Sequence, residues 1–64
     1  MPRIERYICI RYQGRVYEIV NCCDGDEQAK RQAVYELERR LGKMRGGLMK
    51  HFRENPGEVW GVLR

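Results

Sequence analysis

Residues 24–52 read DGDEQAKRQAVYELERRLGKMRGGLMKHF. Within this stretch apolar side chains fall at Val34, Leu37, Leu41, Met44 and Leu48, in steps of three and four, which is how one side of an α-helix recurs. Ala29 and Ala33 carry the stripe toward its start, and Phe52 carries it toward its end. Asp24 or Asp26 can cap the free N–H groups at the beginning. Glu27, three residues after Asp24, completes a capping-box arrangement, and acidic residues suit the positive end of the helix dipole. Asp26 with Lys30, Glu27 with Arg31 and Glu36 with Arg40 stand four apart, each pair contributing about 0.2–0.5 kcal/mol.

Past Leu41 two signals compete. Gly42, Gly46 and Gly47 would each cost about 1 kcal/mol inside a helix, and glycine is the commonest residue just beyond a helix end. The apolar stripe nevertheless stays in phase through Met44, Leu48 and Phe52. One long or kinked helix over about 25–53 is therefore expected, with a break near Gly46 and Gly47 as the alternative to a rod. Asn55-Pro56-Gly57 ends it.

Upstream, residues 4–12 alternate, with Ile4, Ile8, Ile10 and Tyr12 on one side and Glu5, Tyr7, Cys9 and Arg11 on the other. A second run, 15–23, is rich in β-branched and aromatic residues. Gln13 and Gly14 between them fit a two-residue hairpin turn, Gly14 accepting the positive φ that such turns demand. This turn sets Tyr12 opposite Arg15, Ile10 opposite Tyr17 and Ile8 opposite Ile19. On the other face, Tyr7, Cys9, Val16, Val20 and Cys22 form a surface too apolar to be plain solvent boundary, so Tyr7, Val16 and Val20 are candidate protein-interface residues. Residues 58–63 are short and apolar and fit a third strand with Trp60 as a core anchor. The fold class expected is α+β, an antiparallel hairpin packed on a helix.

A chain of 64 residues makes one small domain, which buries only about 60% of the surface its unfolded chain exposes. Such domains usually need a disulfide, a metal or a partner subunit for comfortable stability. A homodimer is thus an expectation, with Leu41 and Leu48 in a helical seam. Three cysteines, two of them adjacent, do not spell a disulfide framework or a zinc site. No cofactor or metal is expected. The N-terminal residues include no apolar run of signal or membrane length, so a cytoplasmic protein with no membrane partner is expected.

Charge is unevenly spread. Residues 1–38 carry six basic and seven acidic side chains, for −1, whereas 39–64 carry seven against two, for +5. A one-sided field favours an acidic partner, either nucleic acid or an acidic protein surface. If helical phase persists, Arg39, Lys43, Lys50 and Arg53 line one flank beside the gap at Gly46, an arrangement that could track phosphates. Catalysis has little support: His51 is the single histidine, with no acid or hydroxyl partner evident from spacing, and neither Cys9 nor Cys22 has an evident base.

The order hairpin, then Glu27-Gln28-Ala29-Lys30-Arg31-Gln32-Ala33-Val34, resembles the C-terminal half of a double-stranded RNA-binding domain, and also the arm-binding domain of phage integrases. The first resemblance implies a phosphate contact at Lys30, the one lysine matching that family's helix start, where Asp26 and Glu27 occupy the preceding turn. The expected function is a small basic binding protein contacting nucleic acid through Lys30, Arg39, Lys43, Lys50 and Arg53. The alternatives are a phage or mobile-element inhibitor or adaptor that binds a protein, and a self-associating module.

Overall fold

The structure, a computed structural model, describes residues 4–62. Its elements are β1 (Arg6–Tyr12), β2 (Arg15–Asn21), α1 (Asp26–Arg40), α2 (Met49–Glu54), a one-turn 3-10 helix (Pro56–Glu58) and β3 (Val59–Val62). Both pairings in the sheet are antiparallel, with β1 in the middle and the order β2-β1-β3. This is the α+β architecture expected. Leu63, the expected end of the third strand, lies outside the described residues.

The hairpin forms as its turn dictates. Gln13 and Gly14 both take positive φ, 51° and 77°, the pair of values a primed two-residue turn requires. The ladder then runs Tyr12 to Arg15, Ile10 to Tyr17 and Ile8 to Ile19. Period two sends Ile8, Ile10 and Ile19 to one face of the sheet. There they meet Ala29, Ala33, Val34 and Leu37 of α1, with Leu48, Phe52 and Val59 completing the core. Ala29 and Ala33, fully buried and four apart, let the helix axis lie close to the strands.

The strand-to-helix connection is held by other groups than a capping box. Gly25 is the N-cap and no side chain caps the helix. Arg6 instead reaches across from β1: Nη1 donates to Asp26 Oδ1 at 2.6 Å, Nη2 to the Asp24 carbonyl at 2.6 Å and Nε to the Cys23 carbonyl at 3.3 Å. Asn21 adds a second tie, its Nδ2 donating to the Ala29 carbonyl at 2.9 Å. Asp26, expected to pair with Lys30, is taken by Arg6.

The helix does not continue through the glycines. Gly42 takes φ +70°, its N–H donates to the Arg39 carbonyl, and the Lys43 N–H donates to the Glu38 carbonyl, which together make a Schellman stop. Residues 41–48 then turn the chain back, and the short α2 follows. The stripe is consequently split: Val34, Leu37, Leu48 and Phe52 are core, whereas Leu41 and Met44 are 36% and 84% exposed. Trp60 is likewise not a core anchor. Val59 pairs with Ile10 and points inward, so the alternation of the strand puts Trp60 beside Cys9 on the outer face.

The reversal rests on Glu38. Its side chain is 1% exposed, and its two carboxylate oxygens accept the Gly46 N–H and the Leu48 N–H, each at 2.8 Å. One residue thus ends α1 through its carbonyl and ties down the start of α2 through its side chain.

Candidate functional site

Because the chain doubles back at 41–48, α2 comes to lie beside the first half of α1, and an open cleft of about 220 Å³ separates them. Along α1, residues spaced three and four apart face it: Glu27, Lys30, Arg31 and Val34. From α2 come Met49, Phe52 and Arg53, and Pro56 and Val59 close the remaining side. Val34, Phe52 and Val59 are nearly fully buried and make an apolar floor, while Arg31 and Arg53 are exposed on the rim and Lys30 is half-buried. Three cations stand against one carboxylate.

The cleft's cations share with Lys43 and Lys50 the lack of an ion pair among the described residues, and differ from them in facing one site. No ion pair among the described residues involves Lys30, Arg31 or Arg53. Arg39 and Arg40 share Glu36 at 3.4 and 3.7 Å, and Arg6 is engaged with Asp26. Arg45 lies 4.3 Å above the ring of Tyr35, and Arg11 5.9 Å from the centre of Trp60.

Of the five residues read as nucleic-acid contacts, Lys30 and Arg53 are brought together at the cleft, across 23 positions of sequence. Lys50 is exposed one turn before Arg53 on α2. Arg39 sits at the end of α1 beside Glu36, and Lys43 is exposed in the reversal, where its N–H completes the helix stop. They do not form the single flank that unbroken helical phase would give. Arg31 joins the cleft instead; the ion pair with Glu27 that its spacing suggested does not form, and its place three residues before Val34 puts it on the face that turns toward α2.

The expected protein-interface residues divide as well. Val16 and Val20 are 58% and 48% exposed on the outer face of the sheet, with Tyr7 half-buried beside them. Both helices pack on the opposite face, so no helix covers this surface, and Val16 and Val20 stay exposed although Cys9 is buried beside Trp60. Leu41 is at the surface, but Leu48 is 5% exposed within the core and is not available to a partner.

His51 has a partner that spacing did not reveal. Its Nε2 stands 2.9 Å from Glu58 Oε2, and its ring meets Tyr12 and Phe52 edge-on, with centroids 5.9 and 4.9 Å away. The pair forms because Asn55-Pro56-Gly57 folds the chain back between them. It fastens α2 to the start of β3. No cluster of three or more potential metal ligands occurs among the described residues, and no described helix is long and apolar enough to cross a membrane. Comparison with protein-family models, with curated proteins and with solved structures returns no match.

Proposed function

We propose that this chain is a small nucleic-acid-binding protein of the cytoplasm whose contact surface is the cationic cleft between α1 and α2. The observation that carries the reading is the convergence of Lys30, Arg31 and Arg53, none of them in an ion pair, on one site. Arginine and lysine without carboxylate partners keep their full charge for phosphate oxygens, and arginine adds bidentate geometry. Lys50, one turn from Arg53, extends the positive surface along the strand's path.

Three phosphates neutralised would give a slope of log affinity against log salt of about −2 on single strands and about −3 on duplex. Between about 50 and 200 mM salt, affinity should fall on the order of 20- to 40-fold. Fluorescence anisotropy with labelled oligonucleotides over this range tests the reading. Lys30→Glu combined with Arg53→Glu should abolish low-salt binding, whereas Lys43→Glu should weaken it mildly. Absence of binding at low salt, or a slope unchanged in the double variant, would overturn it.

A second reading is favoured by a separate observation, the uncovered outer sheet face with Val16 and Val20 exposed. On that reading the protein docks on another protein, as an inhibitor or adaptor would. A stoichiometric partner recovered by the wild type and lost with Val16→Glu and Val20→Glu, but retained by Lys30→Glu with Arg53→Glu, would support it over the first.

A further inference from the structure

Resting on the nucleic-acid reading above, we infer that the cleft admits one unstacked base, which makes the protein selective for single strands over duplex. Four features of the cleft lead there. Its volume of about 220 Å³ lies below the roughly 300–1,000 Å³ of pockets that enclose a drug-sized ligand, which leaves room for one ring system. Its accessible apolar lining comes from Met49 and Pro56, which stand over the nearly buried Val34, Phe52 and Val59, and a phosphate gains nothing from such a surface. A base face, in contrast, is apolar enough to be driven onto it, and the thioether of Met49 on one wall is a favourable neighbour for an aromatic ring.

The charges supply the third feature. Lys30 and Arg31 stand on the α1 side and Arg53 on the α2 side, so a base entering between the helices carries its two flanking phosphates toward opposite cationic rims. The fourth is Glu27, the one carboxylate at the cleft. It would repel a phosphate, but it can accept a hydrogen bond from the exocyclic amino group of an inserted adenine or cytosine. A duplex keeps its bases stacked and could offer this cleft only backbone, leaving the apolar floor unused.

The test compares one protein with four probes by anisotropy at low salt: a single-stranded oligonucleotide of adenine and cytosine about 12 nucleotides long, its duplex, the same backbone without bases, and poly-glutamate. The intact single strand should bind about tenfold more tightly than the duplex and the abasic strand, roughly the gain from taking one base face out of water. Met49→Gln, which makes that wall polar without adding an aromatic face, should erase that preference while leaving the salt slope in place. Pro56→Leu, at an exposed position on the wall, narrows the mouth with a non-aromatic side chain without touching the core and should lower the preference too, and circular dichroism checks that both fold.

Duplex or abasic strand binding as tightly as the intact strand overturns the inference and leaves the polyanion reading standing. Poly-glutamate binding as tightly as the strand overturns it in favour of an acidic peptide. If none of the four probes binds, both readings fall together.

Discussion

The β1–β2 hairpin and the 41–48 reversal both turn the chain through a half circle, and they are held in opposite ways. In the hairpin two residues turn and seven pairs of partners follow, alternate pairs closing the backbone hydrogen bonds of the ladder. No single side chain decides its geometry. The reversal spends eight residues on the same change of direction and has no ladder. Its order depends on the Schellman stop at Gly42, on a few local turns and on the carboxylate of Glu38. Redundant local bonds make the first turn tolerant of substitution, whereas the second concentrates its stability in one buried group. That second turn also builds the cleft, because it places Arg53 beside Lys30 and Arg31.

The comparison is broken most directly at Glu38. Glu38→Leu leaves the N–H of Leu48 without a partner in a buried setting and that of Gly46 in a partly buried one, at up to about 1–3 kcal/mol each. A loss of about 2–6 kcal/mol by urea denaturation is expected, a large fraction of the total stability of a domain this small. Glu38→Gln should recover only part of it, since an amide has one acceptor oxygen and would turn its NH₂ toward the second donor. A loss under about 1 kcal/mol for Glu38→Leu would mean that water or a shifted loop serves those donors equally well.

The two turns can next be matched glycine for glycine. Gly46 in the reversal and Gly14 in the hairpin have φ +87° and +77°, and an added Cβ at either meets nothing within 4 Å. Alanine at each therefore tests backbone conformation alone, with an expected cost of about 1–2 kcal/mol. The stability losses should be similar, but their consequences should differ. Gly46→Ala disturbs a donor to Glu38 and should weaken oligonucleotide binding, whereas Gly14→Ala should leave it unchanged.

Arg6→Ala sets a smaller effect beside these. Its guanidinium bonds Asp26 and two carbonyls of the strand-to-helix turn, yet its side chain is 31% exposed and that of Asp26 is 78% exposed. Solvent screening limits the ion pair to well under about 1 kcal/mol, so most of an expected loss of about 1 kcal/mol comes from the two carbonyl bonds. A melting temperature unchanged in Arg6→Ala would show that Asn21 alone holds the turn.

The same contrast explains what could be read from residues alone. Hairpin register was legible because the Gln13-Gly14 turn and period-two alternation agree, and Tyr12 with Arg15, Ile10 with Tyr17 and Ile8 with Ile19 pair as expected. The third strand was legible as a strand, but the choice between Val59 and Trp60 for the core depends on its pairing with Ile10, which lies far off in sequence. Through 41–48 the local signals disagreed: an unbroken stripe argued for helix, and three glycines at about 1 kcal/mol each argued against it. The tie was broken by hydrogen bonds from Glu38 to residues eight and ten positions ahead, a relation no period encodes. Lys30 and Arg53 could be singled out as cations, but their meeting follows from the reversal. Arg31 could not be singled out, because spacing paired it with Glu27.

Glu27 offers the finest distinction, since it separates a site built on charge alone from one that also holds a base. If charge alone governs the cleft, Glu27→Gln removes one repulsion and should raise affinity about two- to threefold on single strand, duplex and abasic strand alike. If an inserted adenine or cytosine donates its amino group to this carboxylate, the same change weakens a charge-assisted hydrogen bond. The two effects then oppose each other on adenine and cytosine strands, and affinity should stay flat there while rising on thymine strands, whose base has no exocyclic amino group. Titrating Glu27→Gln against strands of single composition at one salt concentration separates these outcomes. A uniform rise across all bases would reduce the site to a patch of positive charge, and a rise confined to thymine and abasic strands would make Glu27 the residue that selects among bases.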